Sequence, residues 1–196
     1  AIVVRPTHLR SIASSTTSFA SLPSSSEGYP FDYWQESLLA TNEPIYILHT
    51  SQDCAWNFVI TNSYTYGWVQ RADIAYTTPA FRDAWRASGQ YVTPLQDKVP
   101  VADSIWAPLA HVGQLLPLAS LQGAPHRHQV LSVYADAQGY AAIKASSVSK
   151  SQVALMPLLA TPRNIAQLAN SLLGQPYGWG VIEQYRDCSS LLKDIC

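Results

Sequence analysis

The stretch of this sequence best equipped for chemistry is Asp187-Cys188-Ser189-Ser190. Aspartate is a preferred helix N-cap, so Cys188 falls at or near the first turn of a helix formed by "RDCSSLLKDIC" (186–196). Free N–H groups and the helix dipole favour an anion at such a start, and the thiolate is the nucleophilic form of cysteine. Leu191, Leu192 and Ile195 are spaced to form a buried stripe that fixes the helix and holds the sulfur at its end. The plainer alternative is a structural cysteine at a helix start. Upstream stands Pro176-Tyr177-Gly178-Trp179-Gly180. Its glycines let backbone approach a ligand closely, and Tyr177 and Trp179 offer flat walls to a peptide or sugar, unless both rings simply pack on a core.

Other residues make poorer candidates. All five histidines (His8, His49, His111, His126 and His128) precede Cys188, so none follows it as a general base. His126 and His128 sit on alternate residues, as metal ligands on a strand could, but no carboxylate or cysteine stands beside them and a solvated turn is expected. Cys188 and Cys196, if on one helix, have Cα atoms about 12 Å apart, too far for a disulfide. The three cysteines are therefore read as free, with Cys54 expected to be a small core residue. No phosphate-binding or dinucleotide-binding glycine motif occurs, no zinc motif is present, and no metal or cofactor is expected.

These residues need a scaffold. With 196 residues and 47% apolar content the chain can build a real core, as one large domain or two or three small ones. Lys plus Arg is 12 and Asp plus Glu is 13, a net charge of −1, which argues against nucleic-acid binding. No apolar run is long enough for a membrane helix. Six Trp, 11 Tyr and 13 Pro indicate a loop-rich, strand-rich fold.

Residues 1–43 read as an extended leader, Ser-rich over 11–26, with Asp32 expected to cap a short helix from Tyr33 to Leu39. Residues 44–90 read as a first small barrel with strands at 44–51, 55–63 and 66–77, followed by a short helix from Pro79 to Gly89. Residues 91–160 repeat the pattern with strands at 113–120, 129–136 and 139–149. A new unit, 161–196, opens on a helix capped by Thr161, with Pro162 at its first position and Gly174 beyond its end. The only methionine is Met156, and the first residues lack the pattern of a signal peptide. The expectation is a processed or partial chain, lacking a downstream segment.

The segment "LLGQPYGWG…YRDCSS" resembles the start of the NlpC/P60 family of papain-like cysteine peptidases. "THLRSI", "GYPFDYWQESLL", "PIYILHTSQDCAW" and "YGWVQRADIA" are similar to the leader and first bacterial SH3-like (SH3b) domain of its multidomain branch, and the second barrel resembles the second SH3b domain. The resemblance implies a mainly β fold: a leader and two tandem SH3-like barrels, then the N-terminal helices of an α+β papain-like domain. It implies a secreted or periplasmic hydrolase that cuts γ-D-glutamyl-diamino acid bonds in peptidoglycan peptides. Cys188 matches the nucleophile, and Asp187 and Ser189 match residues that receive the free amino end of L-Ala-γ-D-Glu-diamino acid. Tyr177 and Trp179 match the aromatic substrate-side loop, and Tyr64 or Tyr66 stands for a tyrosine donated by the first barrel. The family's histidine base, which follows the cysteine, has no counterpart here. The chain alone is therefore expected to be nearly inactive, its base lying in a segment not included. A vestigial catalytic segment on a wall-binding SH3b module is the alternative, and a half-enzyme completed by a separate polypeptide is a third.

Overall fold

The computed structural model describes residues 1–19, 28–102, 108–120 and 124–196, so part of the Ser-rich 11–26 stretch lies outside the described residues. The first unit contains β1 (Ile2–Val3), β2 (Thr7–Arg10), β3 (Gln35–Leu39), β4 (Ile45–Thr50), β5 (Trp56–Thr61), β6 (Tyr66–Gln70) and β7 (Ile74–Ala75). Five of these form an antiparallel sheet in the order β3-β2-β6-β5-β4, and β1 pairs with β7. Hydrogen bonds from Val3 N to Glu43 O and from Ile45 N to Ala1 O then join the first residues to the start of β4. Residues 7–10 and 35–39, in the stretch read as leader, are thus strands of this sheet.

The alternation within β5 is informative. Asn57, Val59 and Thr61 point into the barrel, while Trp56, Phe58 and Ile60 lie on its partly exposed outer face. Val59 packs with Val3, Leu9, Leu39, Ile45, Val69 and Ile74, and buried Asn57 accepts a hydrogen bond from Thr50 Oγ1 at 2.9 Å.

The expected helix over 33–39 is corrected to strand β3. Asp32 does accept from a backbone N–H two residues on, that of Trp34, but its other contacts are an ion pair with Arg10 (2.9 Å) and the N–H of Ser18. Those long-range partners hold an Asx turn leading into a strand rather than a helix cap. Cys54 is likewise corrected. It is exposed at φ 57° in the turn between β4 and β5, where the Asp53 carboxylate accepts from Ser51 Oγ and Ala55 N.

Helix α1 (Pro79–Arg86) follows, capped by Thr78 Oγ1 on Phe81 N. Its Phe81 and Trp85 pack with Ile2, Ala75 and Val133, seating the first unit against the second. The second unit contains β8 (Tyr91–Pro94), β9 (Val99–Pro100), β10 (Leu109–Ala110), β11 (Leu116–Ser120), β12 (Arg127–Ala135), β13 (Ala141–Ser149) and β14 (Val153–Leu155). Its main sheet runs β13-β12-β11-β8-β14, with β9 paired to β10, around a core rich in valine: Val92, Val99, Val130, Val148 and Val153 among others. Two SH3-like sheets in a mainly β chain, followed by α2 (Pro162–Ser171) and α3 (Cys188–Ile195), complete the architecture. Among the described residues, no helix is long and apolar enough to cross a membrane.

Candidate functional site

Helix α3 begins where the sequence places it. Asp187 is its N-cap: Oδ1 accepts from Ser190 N at 2.8 Å, and Ser190 Oγ accepts in return from Asp187 N at 2.9 Å, forming a capping box. Ser189 Oγ also donates to Asp187 Oδ1 (3.0 Å), so that oxygen is crowded with donors, whereas among the described residues Oδ2 receives only the Gly180 N–H, at 3.2 Å. Burial alone raises the Asp187 pKa, but the bonds from Ser190, Ser189 and Gly180 outweigh it and hold the carboxyl below its usual range. The residue therefore keeps a charge, with one oxygen little used by the fold.

Cys188 is the first residue of α3 and its side chain is exposed. It opens on a cleft of about 300 Å³ walled by Leu172, Pro176, Tyr177, Asp187 and Leu191. Burial first, and then the neighbouring Cys188 sulfur and Asp187, push the Tyr177 phenol pKa up. Phe31 packs near both rings of the loop, 6.2 Å from Tyr177 and 5.5 Å from Trp179 between centroids. Of the two rings expected as walls, Tyr177 lines the cleft and Trp179 is not among its lining residues; both meet Phe31, a third ring from distant sequence.

The loop is held from the first sheet. Gly180 sits at φ 57°, and a Cβ there would come within 2.7 Å of Gln35, so only glycine lets β3 and the loop meet. Gln35 Nε2 donates to Gly180 O at 2.9 Å, Gly180 N donates to Asp187, and Arg10 donates to Gln35 Oε1 at 3.1 Å. An unbroken chain of polar contacts thus runs from the buried Arg10–Asp32 pair to the cap of α3.

Other expectations require correction. The leucine stripe of α3 is not buried: Leu192 is 65% exposed and Leu191 37%. Leu191 turns toward the cleft, and Ile195 alone of the three packs partly against Val112, Leu168 and Leu172. Tyr64 and Tyr66 do not line the Cys188 cleft. Tyr64, 80% exposed, lies in the β5–β6 hairpin, while Tyr66 stacks on Phe58 on the outer face of the first sheet, next to Trp68 and His49. No histidine lines the cleft among the described residues. His8 lies near Gln35, its pKa lowered by burial and then by Arg10, and His111 lies 3.6 Å from Asp97.

Sequence reasoning missed Phe31, Gln35, Arg186 and Asp97. Arg186 was visible as a cation directly before the capping aspartate in a chain poor in charge, but its forked partner Asp97 comes from a different unit.

Comparison with known proteins agrees with this architecture. The family described as SH3 domain (SH3b1 type) matches residues 18–70. No curated protein matches the chain at a significant level. A solved NlpC/P60 endopeptidase from Photobacterium damselae subsp. piscicida is similar over 99% of this chain at 30% identity, with a TM-score of 0.83. The chain spans 41% of that protein's length. A NlpC/P60 family protein from Bacillus cereus ATCC 10987 matches over 100% of this chain and 70% of its own, with a TM-score of 0.68 and 16% identity, a likeness of fold. The front of the chain thus resembles an SH3b domain, and nearly its whole length is similar in architecture to part of a solved NlpC/P60 endopeptidase.

Proposed function

We propose that this chain carries the substrate-binding and nucleophilic parts of a cell-wall peptide hydrolase of the periplasm or cell exterior, acting on γ-D-glutamyl-diamino acid bonds. The observation that supports it best is an exposed cysteine heading a capped helix and opening on an aromatic-walled cleft. In this reading the Cys188 thiolate attacks the γ-glutamyl carbonyl carbon. The N–H groups of the α3 start stabilise the oxyanion as the C–N bond breaks. The thiol proton passes to a base and then to the departing amine, and water afterwards hydrolyses the thioester. The base would be a histidine supplied from outside these residues. Asp187 Oδ2 and Ser189 Oγ receive the free ammonium of the L-Ala end, and Tyr177 and Trp179 flank the peptide.

The test is covalent. An L-Ala-γ-D-Glu peptide bearing a thiol-reactive carbonyl should label Cys188 in preference to the other exposed thiols, Cys54 and Cys196. Excess L-Ala-γ-D-Glu-diamino acid should protect it, and Cys188→Ser should abolish the preference. Equal labelling of all three sulfurs discards the reading. Peptide binding without preferential labelling would favour the wall-binding module, for which the exposed Tyr66-Phe58-Trp68 face speaks.

A further inference from the structure

We infer that Asp97, in the second barrel, is a positioning residue for Cys188, acting through Arg186. The inference rests on the reading of Cys188 as the nucleophile. Arg186 lies two residues before the sulfur, and all five of its guanidinium N–H groups are engaged. Nη1 donates to Asp97 Oδ2 (2.6 Å) and to Gln175 (3.3 Å); Nη2 donates to Asp97 Oδ1 (3.0 Å) and Val112 O (3.1 Å); Nε donates to Asp194 (2.7 Å). The forked Asp97 pair fixes the plane of the guanidinium as a single charge contact could not. Asp97 in turn accepts from Val112 N (3.0 Å), which holds it within the second unit, and from Gln175 Nε2 (2.8 Å), a further tie to the 161–196 segment.

One side chain thus ties the second barrel to the residues leading into α3 and, through Asp194, to that helix's last turn. A second feature points the same way. Gly113, at φ 90°, lies so near Asp194 that a Cβ there would come within 2.6 Å of its carboxylate. The barrel's 111–114 turn is therefore shaped to receive α3. The reactivity of a thiol at a helix start depends on where the sulfur sits relative to the N–H groups, and the clamp sets the seating of that start.

The sign of the effect separates positioning from simpler causes. Removing the Asp97 charge leaves Arg186 less neutralised, which by electrostatics alone makes a nearby thiol more reactive. General loosening also exposes thiols. Only loss of positioning makes Cys188 slower. Alkylation of the intact 196-residue chain by iodoacetamide at about pH 7, read by peptide mass spectrometry, gives Cys188 relative to Cys54, which lies in the first unit. In Asp97→Asn the Cys188 rate should fall about two- to fivefold, the range a helix-terminus field supplies. The midpoint of its pH profile should move upward, around a thiol whose charged or titratable neighbours are Asp187, Tyr177 and Arg186, the last backed by Asp97, Asp194 and His111. Gln175→Ala, which keeps both charges, should show a smaller fall and decides the matter if Asp97→Asn does not fold. A wild-type Cys188 no faster than Cys54 overturns the nucleophile reading. A faster wild-type Cys188, unchanged or accelerated in the variants, overturns the positioning role alone.

Discussion

Asp187 serves as a cap with one carboxylate oxygen and is free to serve as a receptor with the other, and substitution can separate the two. Asparagine caps a helix about as well as aspartate, so Asp187→Asn should change thermal stability by no more than about 0.5 kcal/mol while weakening protection of Cys188 by an amine-bearing peptide. Asp187→Ala loses the cap as well and should cost about 0.5–2 kcal/mol, read by denaturant titration. Glu43 gives a pH-dependent case. One carboxylate oxygen accepts from Ala40 N while the other is buried without a hydrogen-bond partner among the described residues. Burial, its largest influence, raises the Glu43 pKa in spite of Lys193. A carboxyl raised in the folded state favours folding when protonated and loses that advantage as pH climbs through its folded value. Glu43→Gln should therefore stabilise the chain near neutral pH, with the gain vanishing in acid, as thermal melts across pH would record.

At the level of elements, the caps were the most legible part. Thr161 and Asp187 each accept from a backbone N–H of their helix's first turn, because capping needs only residues within a few positions. Three strands of each main sheet were also readable from alternation and turn residues, whereas β2, β3, β8 and β14 were not. What failed depended on distant partners. Residues 35–39 became a strand because Thr7, His8, Leu9 and Arg10 pair with them across the sheet. The leucines of α3 have helical spacing, yet within this chain only Ile195 meets a hydrophobic cluster. Gln35 was unremarkable in sequence, but it is 4% exposed and joins Arg10 to Gly180. Gln35→Ala removes one acceptor of Arg10, which keeps Asp32, and the donor to the Gly180 carbonyl, and should cost about 1–3 kcal/mol. Its denaturation midpoint, together with a slower Cys188 relative to Cys54, checks this.

For the molecule as a whole, the ion pair between the second barrel and the α3 segment should govern behaviour in acid. Burial raises the Asp97 pKa, but hydrogen bonds from His111, Arg186, Gln175 and Val112 more than reverse this and hold it far below the usual carboxylate range. Its stabilising contribution is present above the unfolded value near pH 4 and is lost as pH falls below it. Melting temperature should therefore drop steeply below about pH 4, with a shallower drop in Asp97→Asn. At neutral pH the same variant leaves Arg186 buried without its main partner and should be less stable by about 3–5 kcal/mol. The Arg5–Asp73 pair, whose arginine is 63% exposed, should contribute little, so moderate salt ought to leave stability nearly unchanged.

The order of these parts along the chain has a consequence in time. Asp97, Gln35 and Gly113 all precede Cys188, so a growing polypeptide can close both barrels before the thiol-bearing helix emerges. If they set the sulfur's surroundings, a half-folded chain carries an ordinary, sluggish cysteine, and the reactive one is born only when the last turn docks onto a scaffold already finished.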